Sequence, residues 1–447
     1  MYKRLKSPFS TQIEVTGACP NLCQHCYNFW REKSGESLSK SVNNSLSPKD
    51  AEIIIQKLSD AEVFSIVITG GEPLLNMKTC LTLIERARSK NMEINMNSNI
   101  TLLTKNKADS LRKAGLKHIL TSILGPTPNI HDSITQRLNS FKSLIKGVKT
   151  AQDAGIQVSA NMVVSQINVG YVRATAEVVA NLGIKSFSAT KAGCPGNCTD
   201  FSNMAINQDQ LMQLLNDLCW ARNHFKINVD TLEPIPICGL YNVERPEIFT
   251  SRRCVAGITT MTVSYDGSVR PCSHIDISSG NLLKEDFSTI WTRMDLWSKG
   301  LYIPDECKTC SLLLLCGAGC RMEAKTRTGN IKSLDPYSSL GHIPEMSGYM
   351  KKIGSKKSAQ PKILTNFRTA KFRIRKEYFG GVVALKDNSR VFLDKNGFKV
   401  LSQLLPNTEY ALDDLKIDWE GINPSQFISR LYLRKVLLLI KKGGDLL

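Results

Sequence analysis

Most of the cysteines in this sequence fall at spacings that suit metal or cluster ligation. The 447-residue chain has 14 cysteines, too sparse for a disulfide scaffold but clustered, which indicates metal or iron-sulfur ligation in a reducing compartment. The first cluster is Cys19, Cys23 and Cys26, on a loop that contains Pro20. Three thiolates at these spacings can hold a four-iron cluster whose fourth iron stays open to an exogenous ligand. A structural zinc site is the alternative, but zinc usually takes four protein ligands, and His25 is the one other candidate nearby.

Short strands and amphipathic helices alternate from about Thr11 to Ala221, and these elements must position the cysteine loop. Strict alternation of strand and helix implies parallel strands with right-handed crossovers, in a barrel or an open doubly wound sheet, and six such units favour an α/β partial barrel. The chemistry of these folds gathers in the loops after the carboxyl ends of the strands. The predicted strands are Ile13 to Val15, Ser65 to Ile68, Ile94 to Asn97, His118 to Thr121, Gln157 to Val164 and Ser186 to Ala189. The predicted helices are Pro48 to Asp60, Thr79 to Lys90, Asn106 to Ala114, Ser140 to Ala154 and Tyr171 to Leu182.

Composition and charge exclude several classes of protein. Hydrophobic residues make up 42% of the chain, enough for more than one core, which excludes a disordered tail or a fibrous repeat. The 58 basic and 40 acidic residues give a formal charge of +18, which favours acidic partners without naming them. The N-terminus lacks the apolar core of a signal peptide, and the longest apolar runs, 312–315 and 436–440, are too short to span a bilayer. We expect a soluble, cytoplasmic protein without membrane contact.

The Cys19-x3-Cys23-x2-Cys26 motif after the first strand resembles that of the radical S-adenosylmethionine (SAM) enzymes, with His25 just before the third cysteine. A Gly-Gly-Glu-Pro sequence after the second predicted strand is similar to a second motif of that family. The resemblance implies a partial (β/α)6 radical SAM barrel in which the three cysteines hold a 4Fe-4S cluster. It also implies SAM contacts from the four residues of the second motif, which are Gly70, Gly71, Glu72 and Pro73.

Looser similarities suggest four further SAM contacts. Ser98 and Asn99 follow the third strand where the family has a ribose-contacting segment, and Ser122 begins a segment similar to another family motif. Thr135 stands where many relatives carry Arg, so Arg137 is the expected substitute for a carboxylate contact. The family's usual Gly and Asp are replaced by Ile100 and Leu124. Ordinary loop polarity is the alternative interpretation of these residues.

The later cysteines resemble the SPASM extension of peptide-modifying radical SAM enzymes. The pattern is Cys254-x12-Gly267-x4-Cys272 followed by Cys307-x2-Cys310-x5-Cys316-x3-Cys320, with Gly280-Asn-Leu-Leu and Trp291 between the two halves. The resemblance implies two auxiliary 4Fe-4S clusters. The implied ligands of one cluster are Cys238, Cys254, Cys272 and Cys320. The implied ligands of the other are Cys307, Cys310 and Cys316.

The sequence departs from the SPASM pattern because no cysteine follows Cys320. The usual last ligand of the outer cluster is therefore missing. An oxygen ligand from Asp335 or Ser338, an open iron, and the absence of a second auxiliary cluster are the three explanations, and we favour a non-cysteine fourth ligand. A zinc ribbon formed by the cysteines from Cys307 to Cys320 is the alternative to cluster binding.

Four cysteines lie outside these motifs. Cys80 and Cys219 fall within predicted helices and are expected to be small buried hydrophobes. Cys194 and Cys198 lie in a Gly-Pro-rich loop after the last predicted barrel strand, near the barrel mouth. A thiol there could donate a hydrogen atom or contact a substrate radical, although a structural role is the alternative. No other catalytic residue is indicated.

The composition changes after Met350. Residues 351–376 contain ten basic residues and no acidic one, which indicates a solvated linker. Strands are predicted at Phe372 to Tyr378, Val382 to Ala384 and Val391 to Leu393, and helices at Gly397 to Leu405, Ala411 to Ile417 and Pro424 to Ile440. This small α+β, winged-helix-like unit resembles the recognition element of ribosomal-peptide maturases, which holds a precursor's leader as an added strand. DNA-binding winged helices share the shape, so fold alone does not decide between them.

Together these features predict four regions: a barrel at 1–225, a SPASM domain at 226–349, a linker at 350–371 and a recognition domain at 372–447. The resemblance implies a maturase that generates a 5′-deoxyadenosyl radical and modifies a precursor peptide, most simply by cross-linking, with flavodoxin or ferredoxin as electron donor. One alternative is a radical SAM enzyme of small-molecule or cofactor biosynthesis. An anaerobic sulfatase maturase is disfavoured because Ser273 replaces that family's Asp base. A DNA-binding iron-sulfur regulator would leave the Gly-Gly-Glu-Pro motif without a purpose, so a nucleic-acid partner is not expected.

Overall fold

The computed structural model describes residues 4–28, 44–193, 201–250, 252–342, 366–385 and 389–439. The chain forms two compact units. The large unit comprises Met1–Tyr2 and Ser7–Met346, and the small unit comprises Lys3–Lys6 and Ser347–Leu447. No helix in the described ranges is long and apolar enough to cross a membrane.

Among the described residues, the large unit is built on one ten-stranded sheet, and seven of its strands run parallel in chain order. These strands are β1 (Ser10–Glu14), β2 (Ser65–Thr69), β3 (Glu93–Asn97), β4 (His118–Ser122), β5 (Gln157–Val164), β6 (Ser186–Lys191) and β7 (Asn228–Asp230). Because consecutive parallel strands are neighbours, the loops after their carboxyl ends lie along one edge of the sheet.

In the described connections, seven helices join these strands and supply the apolar layer that covers the sheet. They are α1 (Pro48–Asp60), α2 (Met77–Ser89), α3 (Lys105–Ala114), α4 (Pro128–Thr135), α5 (Ser140–Asp153), α6 (Val172–Asn181) and α7 (Gln208–Phe225). Local sequence explains their starts: the side chain of Ser47 accepts the amide of Asp50 at the beginning of α1, and Asn207 and Gln210 form a capping box at α7. In α1, Ala51, Ile54, Ile55 and Leu58 form the buried stripe of an amphipathic helix.

The predicted α/β class and the six alternating strand-helix units are confirmed. Each predicted strand and helix of this region is present, with its ends shifted by a few residues at most. Helix α4 was not predicted, because its eight residues give too short an apolar pattern. This omission matters because α4 contacts the first cysteine loop.

The SPASM-like segment continues the same sheet. Strand β8 (Thr260–Val263) pairs parallel to β1, and β9 (Ser268–Arg270) and β10 (Gly280–Asn281) extend the sheet antiparallel. The following helices are α8 (Phe287–Arg293), α9 (Asp295–Ser298), α10 (Asp305–Lys308), α11 (Leu313–Cys316) and α12 (Arg321–Thr328). Since β8 lies beside β1, the segment that carries Cys254 and Cys272 joins the sheet next to the strand that leads to Cys19.

The described part of the small unit forms two three-stranded antiparallel sheets. One sheet has the order β15-β11-β16 and the other the order β12-β13-β14. The elements are β11 (Asn366–Thr369), β12 (Phe372–Glu377), β13 (Gly380–Leu385), β14 (Arg390–Leu393), α13 (Lys395–Leu401), β15 (Glu409–Ala411), α14 (Pro424–Leu433) and β16 (Leu437–Leu439). Its separate core includes Phe367, Val383, Leu401, Ile428 and Leu437.

Two secondary-structure predictions for the small unit are wrong. A helix was expected at Ala411 to Ile417, but strand β15 is followed there by the 3-10 turn Leu412–Asp414. The last helix was expected to reach Ile440, yet it ends at Leu433, where Lys435 is left-handed (φ 59°) and the amide of Val436 returns to the carbonyl of Leu431. The apolar run that follows pairs with β11, so pairing with a distant strand overrides its helical pattern. The winged-helix comparison stays a prediction, with two of its three helices found in the described part of this unit.

Candidate iron-sulfur and SAM site

The loop that carries Cys19, Cys23 and Cys26 follows β1 and is fixed to the end of α4. The amide of Leu22 donates to the carbonyl of Thr135 at 2.8 Å, and a second backbone bond joins the loop to the preceding residue of α4. The amide of Cys26 closes a turn by donating to the carbonyl of Cys23 at 3.2 Å. All three thiols are partly exposed. The loop therefore holds three accessible thiols on one short, anchored segment, as a cluster with one open iron requires.

Gly70 and Gly71 bring the loop after β2 against the start of the cysteine loop. A Cβ on Gly70, whose φ is +133°, would lie 2.7 Å from the carbonyl oxygen of Thr16, and one on Gly71 would lie 2.1 Å from that of Ala18. The amides of Gly71 and Glu72 donate to these two carbonyls, each at 2.7 Å. Only glycine permits this backbone approach. The contact of Gly70 to Pro73 with SAM stays a prediction, and the structure gives the two glycines a further role inside the protein.

Glu72 ties the ends of β2 and β3 together. Its carboxylate accepts the amide of Leu74 at 3.0 Å, the hydroxyl of Ser98 at 2.7 Å and the amide of Asn99 at 2.8 Å. Burial raises the pKa of Glu72, although these hydrogen bonds and the charge of Lys107 oppose the rise. A fully enclosed carboxylate with three donors fixes geometry, so Glu72 positions the Ser98–Asn99 segment at the carboxyl end of β3.

Asn99 and Arg137 both lie next to the cysteine loop. The amide nitrogen Nδ2 of Asn99 donates to the sulfur of Cys19 at 3.6 Å, and Asn99 Oδ1 accepts from the Thr101 hydroxyl at 2.7 Å. Arg137 donates to the same hydroxyl at 3.0 Å and to Oδ1 of Asn21 at 3.4 Å. Hydrogen bonds to cysteine sulfur tune iron-sulfur clusters, so the Asn99 contact suits a cluster ligand at Cys19.

The other barrel-top residues are further from this constellation. Ser122 ends β4 and is in register with Asn161 of β5. Thr135 is buried and shares a 2.6 Å hydrogen bond with the hydroxyl of Ser140, so its role is to hold the end of α4. The structure thus brings Asn99 and Arg137 to the cysteine loop, whereas a SAM contact at Ser122 stays a prediction.

A first group of later cysteines comprises Cys254, Cys272 and Cys320. Burial raises the pKa of each thiol, that of Cys272 to about 12, and the charge of Cys254 contributes to the rise at both of the others. Hydrogen bonds from the backbone amides of His274 and Ile275 partly offset this rise in the pKa of the Cys272 thiol. Without a metal these thiols remain protonated at neutral pH, so cluster assembly must displace their protons.

A second group comprises Cys307, Cys310 and Cys316. Burial raises the pKa of Cys307 to about 11, with contributions from Cys316, Cys238 and Cys310. The residues after Cys316 are Gly317, Ala318 and Gly319, and all three have left-handed backbone angles (φ 68°, 65° and 71°).

This unusual turn directs backbone amides of Ala318 and Gly319 at the Cys316 thiol. Successive amides in such turns form anion-binding concavities. The amide of Ile237 also donates to the sulfur of Cys316, at 3.3 Å. The donor set therefore fits a thiolate that ligates a cluster. Cys238, expected in the first group, follows Ile237 directly and interacts with the thiols of Cys307 and Cys316, and its ligation stays a prediction.

The carboxylate of Asp335 is engaged in hydrogen bonds with two backbone amides. Its two carboxylate oxygens accept the amides of Cys320 at 2.7 Å and Tyr337 at 3.0 Å, and the residue is 1% exposed. The amide of Ser338 in turn donates to the carbonyl of Asp335 at 2.8 Å. These bonds order the loop that follows α12. The idea that Asp335 or Ser338 is a cluster ligand stays a prediction that the observed contacts do not support.

Family comparisons identify both cysteine regions. Residues 13–179 match the model of the radical SAM superfamily, and residues 254–311 match SPASM, an iron-sulfur cluster-binding domain. The chain is a radical SAM enzyme with a SPASM domain. Enzymes of this family use SAM and 4Fe-4S clusters, and SPASM domains bind auxiliary clusters.

Relatives of this radical SAM/SPASM enzyme differ in the substrates their names indicate. It is 24% identical over 342 residues to an AdoMet-dependent heme synthase of Oleidesulfovibrio alaskensis, covering 72% of this chain and 85% of the relative. It is 26% identical over 309 residues to the sporulation killing factor maturation protein SkfB of Bacillus subtilis, covering 68% of this chain and 69% of the relative. Its fold resembles Streptococcus suis SuiB bound to the precursor peptide SuiA, with a TM-score of 0.56, 18% identity and 77% of each chain covered.

Two buried ion-pair networks in the radical SAM/SPASM enzyme were not predicted from the sequence. In the first, Glu14 at the end of β1 accepts from Arg270 at 2.5 Å and from the hydroxyl of Ser264 at 2.9 Å. Burial raises the pKa of Glu14 to about 7, although Arg270 opposes the rise. Arg270 also donates to the carbonyls of Ser273 and Ile275, just after Cys272. This pair therefore joins the barrel strand before Cys19 to the loop of an auxiliary-cluster cysteine.

The second network centres on Lys191 at the end of β6, which is 2% exposed. Its ammonium lies 3.1 Å from a Glu323 oxygen, 3.3 Å from a Glu233 oxygen and 4.9 Å from the ring centre of Tyr337. Burial alone would lower the pKa of Lys191, but the two carboxylates raise it well above its usual value. His274 lies 3.6 Å from the other Glu233 oxygen. No sequence spacing could reveal this network, because its members come from distant segments.

Some predicted sites lie beyond what the structure tests. Cys194 and Cys198 fall outside the described residues, so a catalytic role there stays a prediction. Cys80 and Cys219 are buried in α2 and α7, as expected. Within the described ranges, no three His, Cys, Asp or Glu side chains converge as ligands of a single metal ion. Ligands of a four-iron cluster bind separate iron atoms and need not share one centre.

Proposed function

We propose that this radical SAM/SPASM enzyme modifies a ribosomally made precursor peptide, most simply by forming a cross-link. The observation that carries the proposal is a terminal sheet strand of the small unit with an exposed aromatic side chain, Phe392. A leader peptide can bind such an edge as an added strand, with main-chain bonds giving affinity and side-chain pockets giving specificity. The likeness to SkfB and to peptide-bound SuiB supports the same substrate class.

The candidate edge is strand β14. It pairs with β13 in the register Val382↔Phe392 and is the last strand in the order β12-β13-β14. Phe392 is 47% exposed, and its ring centre lies 6.0 Å from that of Phe379. Helix α13 covers β13 closely, because a Cβ on Gly381 would lie 2.0 Å from the Phe398 ring. An apolar, aromatic edge beside a helix provides the surface that strand addition requires.

The opposite edge of this sheet is partly occupied. Residues 4–6 belong to the small unit, and the amide of Lys6 donates to the carboxylate of Glu377 at 2.8 Å, at the end of β12. The side chain of Arg4 lies 5.7 Å from the ring centre of Tyr378. These contacts favour β14 over β12 as the leader-binding edge. The basic segment 351–365 lies outside the described residues, and its charge would attract an acidic leader.

The chemistry is assigned to the barrel. SAM bound with a cluster on Cys19, Cys23 and Cys26 would supply a 5′-deoxyadenosyl radical that removes a hydrogen atom from the peptide. The chain's own contribution is to fix the cysteine loop through Asn99 and to place the Arg137 guanidinium beside it. A flavodoxin or ferredoxin is the proposed electron donor, and auxiliary clusters would accept an electron if the net change is oxidative.

The experiment is co-expression of the chain with candidate precursor peptides, followed by mass spectrometry of each peptide. Phe392→Glu places a negative charge on the proposed edge and should reduce modification at least tenfold, because an acidic leader is repelled there. Leu405→Glu is the matched control, since Leu405 is 66% exposed in the same unit but lies outside the edge strand. Equal modification by both variants and wild type would count against leader binding at β14.

A tetrapyrrole substrate is the second candidate function, and the heme synthase relative favours it. In that case the enzyme would produce 5′-deoxyadenosine when an iron-porphyrin such as iron-coproporphyrin III is added as substrate, and not when peptides are added. Removing the small unit would then leave turnover intact. The two candidates are therefore distinguished by one assay with two substrates.

A further inference from the structure

We propose that Cys238 is the fourth ligand of the outer auxiliary cluster, together with Cys307, Cys310 and Cys316. A cysteine that precedes the SPASM motif would then replace the missing cysteine that normally follows it. The inference rests on the SPASM domain and does not depend on the identity of the substrate.

Backbone geometry places Cys238 at the outer group. Cys238 is the central residue of the 3-10 turn Ile237–Gly239. The amide of Ile237 donates to the sulfur of Cys316 at 3.3 Å, so the residue adjoining Cys238 touches an outer-group thiol directly. Cys238 is itself partly exposed, as are Cys307 and Cys316.

The turn is held in this place by contacts on both sides. A Cβ on Gly239 would lie 2.1 Å from the carbonyl oxygen of Tyr337, so the two backbones are in close contact. The side chain of Gln208, at the start of α7, donates to the carbonyl of Gly239 at 2.8 Å. The Tyr337 hydroxyl donates to the carbonyl of Ile206 at 2.7 Å. The turn therefore packs against the loop near Ser338, where the usual last cysteine would fall.

Electrostatic contacts among the thiols divide the same way. The thiols of Cys307 and Cys316 both interact with Cys238. Cys272 and Cys320 both interact with Cys254. Together with the contact of Ile237 at Cys316, these interactions favour Cys238 as a member of the outer group.

The competing oxygen ligand is engaged elsewhere. Both carboxylate oxygens of Asp335 already accept backbone amides, and its Oδ2 would lie 2.4 Å from a Cβ on Gly319. Removing Asp335 from that position would release the amides of Cys320 and Tyr337. A thiolate such as that of Cys238 is the usual ligand of iron-sulfur clusters. The assignment leaves the inner cluster with three cysteines and one iron without a cysteine ligand.

The test counts iron and sulfide in protein that lacks the radical SAM cluster. In a background in which Cys19, Cys23 and Cys26 are all Ala, two auxiliary clusters give about eight irons per chain. Adding Cys238→Ala should remove about four irons or change the electron paramagnetic resonance signal of one cluster. Cys307→Ala should have the same effect.

Double variants decide which cluster Cys238 serves. If Cys238 belongs to the outer cluster, Cys238→Ala combined with Cys307→Ala loses at most about four irons and leaves the signal of the inner cluster unchanged. Cys238→Ala combined with Cys254→Ala then affects both clusters. The reverse pattern, or a Cys238→Ala protein with unchanged iron and signal, overturns the proposal.

Two further variants separate ligation from folding. Cys219→Ala removes a buried thiol of α7 that belongs to neither group and should leave iron and signal unchanged. Cys238→Ser keeps the shape of the side chain and offers an oxygen ligand, so it should retain the cluster with a shifted signal. None of these readouts uses a peptide, so failure of this inference and failure of the proposed function are distinguishable.

Discussion

Gly71→Ala tests whether the close approach of the β2 loop to the cysteine loop sets the geometry of the site. The new Cβ would lie 2.1 Å from the carbonyl oxygen of Ala18 and 2.8 Å from that of Gly17. Both are backbone atoms and cannot swing aside. The two loops must separate, which breaks the 2.7 Å bonds from the amides of Gly71 and Glu72.

The expected cost follows from these contacts. Two backbone hydrogen bonds contribute about 1 kcal/mol each, and a forced displacement in a packed site adds about 1–3 kcal/mol. The total of about 3–5 kcal/mol would open this loop locally and raise amide exchange there about 100-fold or more. Production of 5′-deoxyadenosine should fall in parallel, because the loop that holds Cys19 moves.

The assay is hydrogen exchange of the peptide that spans residues 70–75, measured by mass spectrometry. Gly170→Ala is the matched control, because a Cβ there meets nothing within 4 Å and its backbone is not left-handed. That variant should exchange like wild type. If Gly71→Ala also exchanged like wild type and kept its activity, the reasoning about backbone approach would be refuted.

Two predictions concern the buried ion pairs. Lys191→Met leaves the buried carboxylate of Glu323 without its cation and should lower the free energy of unfolding of the large unit by about 3–5 kcal/mol, measured in urea. Lys185 is exposed, so Lys185→Met should change this free energy by under about 0.5 kcal/mol. Equal effects would contradict the pairing. The pKa of Glu14 is about 7 in the folded protein and 4.5 for an ordinary glutamate. Its contribution to stability is therefore fully present below pH 4.5 and is lost as the pH rises through 7. This loss of about 3 kcal/mol should disappear from the pH–stability profile of Glu14→Gln, and an unchanged profile would contradict it.

Local signals made the cysteine loop and the Gly-Gly-Glu-Pro loop predictable. Each is a short motif directly after a strand, so its position follows from the alternation of strands and helices. Helix α4 was missed because eight residues carry little periodicity, although its end anchors the cysteine loop. The expected helix at 411–417 was wrong because pairing of β15 with β11 overrides a weak local pattern.

Contacts between distant segments could not be predicted in the same way. Lys191 meets Glu323, and Glu14 meets Arg270, across intervals that no spacing rule covers. The placement of Cys238 beside Cys316 also depends on tertiary packing, through Gly239 and Tyr337. Sequence resemblance assigned it to the inner group because family order was the available guide. The chemistry of ligation is thus readable from residue type, whereas the grouping of ligands requires the fold.

The most direct test of the peptide-maturase proposal is deuterium transfer from a uniformly deuterated precursor peptide into 5′-deoxyadenosine. The reconstituted chain is incubated anaerobically with SAM, dithionite and the peptide, and the variant with Cys19, Cys23 and Cys26 changed to Ala is the control. The account predicts deuterium in the 5′-deoxyadenosine of the intact chain and no 5′-deoxyadenosine from the variant. Unlabelled product with every candidate peptide, together with label from deuterated iron-coproporphyrin III, would contradict it.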